Sequence, residues 1–195
     1  MILSVSHQDH YSRGQLILRT LFGLIYIAIP HLVLLIVVGI WSAILAFVTF
    51  WVVLFTGRFP ESIFRFQIKF TTWQLRLQAS LGNLVDGYPA LLPGGTSSHV
   101  SLEVPRPERV NRGLVILRLL FGSIYVYIPH GVCLLVRQIV SEVLIILAWF
   151  VVLITGKYPE SWHAFNVGTI RWATRVGLYM GFFTDSYPAF SGRPD

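Results

Sequence analysis

The chain has 195 residues, of which 54% are hydrophobic and only 12% are charged, and its mean hydropathy is +0.66. About a quarter of the residues of a soluble domain are charged, so this composition argues against a soluble protein. The formal net charge is +6, and the single cysteine, Cys133, excludes an internal disulfide and a multi-cysteine metal site.

One unit of the sequence occurs twice without insertion or deletion. About 36 of the 86 positions from Val5 to Ala90 carry the same residue in both copies. This agreement far exceeds chance and predicts two tandem repeats, at residues 1–91 and 108–195. The segment between them, residues 92–107, is rich in Gly, Pro and Ser and is predicted to be a flexible linker.

Each repeat begins with a long apolar run. Residues 20–56 contain no charged side chain, and residues 119–155 contain only Arg137 and Glu142. About 20 residues suffice to cross a membrane, whereas a straight helix of 37 residues would be about 55 Å long. We therefore expect each run to turn back on itself as a transmembrane helical hairpin.

The position of the expected turn comes from the second repeat, where polar side chains interrupt the apolar run. These residues are Arg137, Gln138, Ser141 and Glu142. They predict turns near residues 38–42 and 137–141, with the hairpins at about residues 16–55 and 115–154. The fold class expected is an all-α integral membrane protein with two tandem repeats, each a hairpin followed by an amphipathic interfacial helix.

The basic residues give a predicted orientation. If each repeat holds a hairpin, 14 of the 15 Lys and Arg residues lie on one side of the membrane with both termini, and only Arg137 lies on the other. Cytoplasmic loops carry the excess of Lys and Arg, so both termini are predicted to be cytoplasmic. One span per repeat would instead divide the positive charge between the two sides. Because the charge follows the membrane face, no nucleic-acid binding is expected despite a pI near 9.8.

A second helix is predicted after each hairpin, at about residues 60–82 and 159–181. Gly57 and Gly156 suit the end of the preceding helix, and a Pro-Glu pair suits the start of the next. Apolar side chains at helical spacing favour an amphipathic helix at the cytoplasmic face, and a helix packed on a partner protein is the alternative. The residues expected at this interface are Glu61, Trp73, Arg76, Glu160, Trp172 and Arg175. The two glutamates are interpreted as capping and ion-pair residues rather than catalytic acids.

Four non-aliphatic residues share one face of the first span, and the second repeat has the same four. They are Arg19, Gly23, Tyr26 and Pro30, repeated as Arg118, Gly122, Tyr125 and Pro129. A small residue beside an aromatic one suits close helix packing or partner contact, and the arginine is expected to extend to the lipid headgroups. A binding groove between the repeats is the alternative.

His31 and His130 each lie deep in an apolar run, where an imidazole is costly to bury. Two such histidines could bind a haem or a metal between the repeats, but no second ligand lies within helical reach of either. A hydrogen bond to a carbonyl freed by the neighbouring proline, or to a tyrosine such as Tyr127, is the preferred interpretation. No cofactor and no metal are therefore predicted.

The end of each repeat carries a motif of Asp, Tyr, Pro and Ala, at residues 86–90 and 185–189. The aspartate suits a backbone-bonded turn and the tyrosine suits a membrane-surface anchor. The chain has no phosphate-binding loop, nucleophile elbow or zinc-binding motif. No catalytic residue is predicted.

These shared motifs resemble those of a family of bacterial membrane proteins catalogued as a domain of unknown function. The motifs that carry the resemblance are Tyr-Ser-Arg-Gly at residues 11–14, Ile-Pro-His in the apolar run, Thr-Gly-Lys/Arg-Tyr/Phe-Pro-Glu-Ser after it, and Asp-x-Tyr-Pro-Ala. The resemblance covers nearly the whole chain and implies a location in the bacterial inner membrane. It implies no activity, cofactor or catalytic residue.

These observations are compatible with three classes of function. The leading hypothesis is a non-enzymatic scaffold or accessory subunit that contacts lipids and other membrane-protein subunits, or a second copy of itself. The first alternative is a small channel or transporter with its path between the repeats, lined by Tyr26, His31, Tyr125, Tyr127 and His130. The second is a haem-bearing electron-transfer subunit that uses the two histidines.

Overall fold

The computed structural model describes residues 1–194, which form a predominantly helical fold with two tandem repeats. Its elements, in chain order, are β1 (Ile2–Val5), α1 (Arg13–Gly23), a π-helical turn (Leu24–Ala28), α2 (Ile29–Thr56), α3 (Glu61–Leu81), β2 (Val100–Glu103), α4 (Arg112–Gly122), a π-helical turn (Ser123–Tyr127), α5 (Ile128–Thr155) and α6 (Glu160–Met180). The second half thus repeats the first, element by element.

The predicted hairpins are wrong. Each apolar run forms one continuous helix of 44 residues, Arg13–Thr56 (long helix 1) and Arg112–Thr155 (long helix 2). At 1.5 Å per residue each has a contour length of about 66 Å. Both are long and apolar enough to cross a membrane.

No turn forms in the second apolar run because its polar side chains find hydrogen-bond partners on the same helix and on α6. The amide of Gln138 donates to the Glu142 carboxylate one helical turn later, at 2.6 Å. The Ser141 hydroxyl donates to the amide oxygen of Asn166 on α6, at 2.6 Å. The Arg137 guanidinium donates to the Thr169 hydroxyl at 2.9 Å. Polarity in the sequence therefore marks helix–helix contacts rather than a break.

The helices α3 and α6 pack back along the long helices of their own repeats. Gln67 on α3 bonds Ser42, and the α3 carbonyl of Ser80 accepts from Arg19. These contacts are separated by about 35 Å along long helix 1 but by only about 20 Å along α3. Long helix 1 has the π-helical turn and Pro30 between Arg19 and Ser42. The π-helical turn and Pro30 are features at which helices bend.

A two-fold relation between the repeats centres on the β1–β2 pair, where Leu3 pairs with its own repeat counterpart Leu102 in an antiparallel ladder. The same relation recurs at the helix ends. The Tyr11 amide donates to the Gly156 carbonyl at 2.9 Å, and the Val110 amide donates to the Gly57 carbonyl at 2.8 Å. Each long helix thus begins beside the end of the other, and β2 lies inside the segment predicted to be linker.

The long helices bury a narrow face and expose a wide one. The buried face of long helix 1 carries its polar side chains, including Arg19, His31, Ser42 and Thr49. The exposed faces are mainly aliphatic and aromatic, and most of the side chains of both long helices lie on them. Thr20 on long helix 1 and Gln138 and Glu142 on long helix 2 are exposed polar residues. This pattern is the reverse of that in a soluble protein, which buries apolar side chains and exposes polar ones.

Candidate functional site

A buried ion pair links the start and the end of the second repeat. The Arg118 side chain, 1% exposed, donates to the Asp185 carboxylate at 2.8 Å and to the Tyr179 carbonyl at 3.0 Å. Its guanidinium also lies 3.9 Å from the centre of the Tyr179 ring. The other Asp185 oxygen accepts the backbone amide of Asn111, which caps α4. One carboxylate therefore fixes both the arginine and the start of long helix 2.

The first repeat has the same arrangement in a looser form. Arg19 lies 3.5 Å from the Asp86 carboxylate, whose other oxygen accepts the amide of Ser12, the cap of α1. Arg19 also donates to the carbonyls of Ser80 and Val85. The expected contact of Arg19 and Arg118 with lipid headgroups is therefore wrong, because both side chains point into the protein, where carbonyl oxygens and an aspartate satisfy them.

A tyrosine follows each of these aspartates and bonds a π-helical turn. The Tyr88 hydroxyl donates to the Tyr26 carbonyl at 3.0 Å, and the Tyr187 hydroxyl donates to the Tyr125 carbonyl at 2.8 Å. In an α-helix this carbonyl would pair with the amide four residues later, which is a proline in both repeats and has no N–H. The tyrosine of the terminal motif thus replaces the hydrogen bond that the proline removes.

His31 and His130 are fully buried, each against the terminal motif of its own repeat. The Nδ1 atom of His31 bonds the Ile27 carbonyl at 2.8 Å. The Nδ1 atom of His130 accepts the Trp172 indole N–H at 2.9 Å, and its ring stacks on Phe190 with centroids 3.9 Å apart. The carbonyl freed by the proline is bonded by tyrosine rather than by histidine, so that detail of the prediction is wrong.

The haem and metal hypothesis depends on which side chains surround the two histidines. Within residues 1–194 no group of three or more His, Cys, Asp or Glu side chains is placed to hold a metal ion. Since Nδ1 of His130 accepts a hydrogen bond, the neutral ring carries its proton on Nε2, an atom that is buried without a partner in the described chain. Each histidine contacts residues of its own repeat.

The other residues singled out on the first span of each repeat differ in their exposure. Gly23 and Gly122 are buried, and Tyr26, Tyr125 and Pro30 are half-buried. Pro129 is half-buried like Pro30, and Tyr127 is exposed. A family model described as "Domain of unknown function (DUF4389)" matches residues 14–91 and again residues 114–192. The chain belongs to this family. No curated protein and no solved structure matches it.

Of the residues predicted at a membrane interface, some are exposed and others are buried within the DUF4389 repeats. Glu61 and Glu160 are exposed, and Glu61 pairs with Arg65 and Arg106 rather than with Arg58. Trp73 and Trp172 are buried in protein. Arg76 and Arg175 donate to backbone carbonyls of the segments that follow α3 and α6. For these tryptophans and arginines the expected contact with lipid is wrong, because the segment that follows α3 or α6 folds back over them.

The sequence prediction missed a polar cluster at the junction of one repeat with the other. His7 bonds the Tyr158 carbonyl at 2.8 Å, and the Tyr158 hydroxyl accepts the Asn166 amide at 2.9 Å. His163 bonds the Leu84 carbonyl of the other repeat at 3.0 Å. Burial raises the pKa of Tyr158 to about 12. The cluster therefore joins the DUF4389 repeats by buried hydrogen bonds.

The pseudo-equivalent junction has an aromatic, apolar centre, and Arg106, the counterpart of His7, donates to the Phe59 carbonyl at 3.3 Å. Phe59, Phe64 and Phe183 occupy the positions of Tyr158, His163 and Leu84, and their rings pack within 5.3 Å of one another. Alignment of the repeats against each other reveals this exchange of Phe for His and Tyr. It is the feature that could have identified the polar cluster from sequence.

The junction histidine predicts a pH dependence of stability. Burial, and secondarily His7, lowers the pKa of His163, while the Leu84 carbonyl and Glu160 act in the opposite direction. The unfolded chain therefore binds a proton more readily below about pH 6.5, so His163 makes stability fall as the pH drops below that value. We expect His163→Phe, which copies Phe64, to weaken this fall in the thermal unfolding midpoint of detergent-solubilised protein. The exposed His10→Phe is the control, and an equal effect of both variants would contradict the assignment.

A cavity of about 460 Å³ lies between the two repeats. Leu35, Leu77 and Leu81 form its wall from the first repeat, and Ile145 and Ile170 form its wall from the second. Its polar lining consists of the side chains of Gln74, Gln78, Gln138, Ser141, Asn166 and Glu142. None of the five residues that the sequence suggested as a channel lining borders this cavity.

Proposed function

We propose that this protein is a non-enzymatic scaffold or accessory subunit embedded in the bacterial inner membrane. The observation that carries the proposal is the burial pattern of the long helices. Arg19, His31, Ser42 and their counterparts in the second repeat face inward, while most of the exposed side chains are apolar. Side chains such as Leu24, Ile36 and Phe55 are more than half exposed. Exposed apolar faces of this length are typical of proteins that contact acyl chains.

The orientation proposed keeps both termini in the cytoplasm, and its support is the basic layer that α3 and α6 form rather than the hairpins, which do not form. The helices α3 and α6 cover one side of the long helices and expose charged side chains such as Arg65 and Lys69. The chain termini and the ends of the long helices connect to this layer through the β1–β2 pair and the junctions at Gly57 and Gly156. A polar layer on one side and apolar helices on the other suit a protein whose basic layer faces the cytoplasm.

The proposed partners are lipids and other membrane-protein subunits, or a second copy of the chain. Many apolar side chains on the faces of the two long helices remain exposed and are not used in contacts within the chain. Helices in membranes associate through such faces when packing is close. The scaffold hypothesis therefore assigns these faces to both lipid and protein contacts.

Purification in a mild detergent tests the scaffold hypothesis. We expect the tagged protein, extracted from its own membranes, to elute with stoichiometric partner proteins or as a homo-oligomer in native mass spectrometry. A lone monomer that persists across several mild detergents would contradict the proposal.

The cavity between the repeats favours a channel or transporter as the second candidate. Glu142 is the only charged residue that borders the cavity among residues 1–194, so a path there would select cations. Liposome flux of a small cation should then fall on Glu142→Gln. Equal flux for this variant and the wild-type protein would remove the candidate.

A further inference from the structure

Three arginines converge at the end of long helix 1, around a cavity of about 340 Å³. The cavity is lined by Thr56, Gly57, Arg58, Arg109, Val110 and Arg112. Arg58 and Arg109 are exposed and carry their charges at its rim, and the Arg112 guanidinium packs beside Gly57. No carboxylate borders the cavity, and within residues 1–194 none of the three guanidinium groups forms an ion pair.

The backbone fixes the shape of this site. Gly57 has a φ of 68°, which ends α2 in the left-handed conformation, and a side chain there would meet the Arg112 guanidinium at 3.3 Å. The Gly57 carbonyl accepts the Val110 amide at 2.8 Å, which holds the segment with Arg109 and Arg112 against the helix end. The positive charges are therefore brought together by the junction of the two repeats.

The surroundings of the site indicate a lipid rather than a free anion. An exposed aromatic row, Phe47, Trp51 and Phe55, runs along the last turns of α2 up to the cavity. Trp51 packs against both of its neighbours in the row, with centroids 6.1 Å and 6.0 Å apart. Aromatic side chains at the end of an apolar span lie at the level of lipid headgroups.

We propose that this cavity binds the phosphate of an anionic phospholipid, whose acyl chains lie along the Phe47–Trp51–Phe55 row. Guanidinium groups suit phosphate oxygens because they donate parallel hydrogen bonds as well as charge. The second repeat has a weaker counterpart in His10, Arg13 and Lys157, where Arg13 already donates to the Ile154 carbonyl at 2.7 Å. The site at Arg58, Arg109 and Arg112 is therefore the tighter of the two. This assignment rests on the proposed membrane location.

Native mass spectrometry of the full-length protein tests the site. The protein is delipidated in detergent and mixed with phosphatidylglycerol or with phosphatidylcholine of the same chain length. The variant is Arg58→Gln with Arg109→Gln, and the control is Arg65→Gln with Lys69→Gln, which removes the same charge from the exposed face of α3. Each basic residue near an anionic lipid contributes about fivefold in affinity, so we expect the variant to bind phosphatidylglycerol about 30-fold more weakly. The control should bind like the wild type.

Three results would overturn the assignment. These are equal binding of the two lipids, wild-type binding by the variant, and displacement of the lipid by an equimolar amount of inorganic phosphate, which would indicate a site for a free anion. Flotation with phosphatidylcholine vesicles separates this failure from that of the proposed function. A protein that floats but shows no headgroup preference loses only the lipid site, whereas one that does not float loses the membrane location as well.

Discussion

Replacing Asp185 by Ala is expected to destabilise the protein by about 3 kcal/mol. The change leaves the Arg118 guanidinium, which is fully buried, without its counter-charge. Removal of one partner from a buried ion pair costs about 3–5 kcal/mol, and the low end applies because the Asp185 side chain is 32% exposed and water can replace it in part. The Asn111 amide also loses its acceptor, so the start of α4 should be the first region to exchange its amide hydrogens.

The measurement is the free energy of unfolding in detergent, with two matched variants. Asp86→Ala removes the same motif residue from the first repeat, where the ion pair is longer and Arg19 keeps its bonds to Ser80 and Val85, so we expect a cost of about 1–2 kcal/mol. The exposed Asp9→Ala should change little. Equal costs for Asp185→Ala and Asp9→Ala would show that the buried pair contributes nothing to the fold.

An arginine in place of Ile36 should prevent stable membrane insertion. Ile36 lies near the middle of long helix 1 and is 54% exposed, on the apolar face. If that face contacts acyl chains, an arginine at the centre of the helix costs about 2.5–3.5 kcal/mol of insertion free energy. The membrane-integrated fraction should fall at least severalfold. On a face bathed by water the same substitution would change stability by less than about 0.5 kcal/mol.

Carbonate extraction of membranes, followed by quantification of the pellet, measures this effect. The control is Leu91→Arg, which introduces the same side chain at an exposed apolar position after α3, outside the long helices. We expect it to leave integration unchanged. Normal integration of the Ile36→Arg protein would place that face in water.

The repeats, the family and the two long apolar runs were predictable from sequence, because each depends on patterns that are visible along the chain. The hairpins were not, because a polar side chain in an apolar run predicts a turn only when no other helix satisfies it. Ser141 finds Asn166 on α6, and Gln138 finds Glu142 on its own helix. Both partners were present in the sequence, but their contact depends on the position of α6.

The candidate site was likewise predictable from sequence only in part. The identity of Arg19 with Arg118 and of Asp86 with Asp185 in the two repeats was evident, yet nothing in a single sequence pairs side chains 67 residues apart. The hydrogen bond from the terminal tyrosine to the carbonyl that the proline leaves free was predictable in part. Pro30 leaves the Tyr26 carbonyl without its amide, so a donor was required there, and the fold identifies it as the Tyr88 hydroxyl.

The most direct test of the membrane account uses the protein's own cysteine. Cys133 is exposed on α5, so a nitroxide attached to it samples the surroundings of long helix 2. In reconstituted vesicles we expect the label to collide frequently with oxygen, which concentrates in acyl chains, and rarely with a water-soluble nickel chelate. A label at Ser98→Cys in a Cys133→Ala background, in the exposed segment between the repeats, should show the opposite ratio. A Cys133 label more accessible to the nickel chelate than to oxygen would contradict the account.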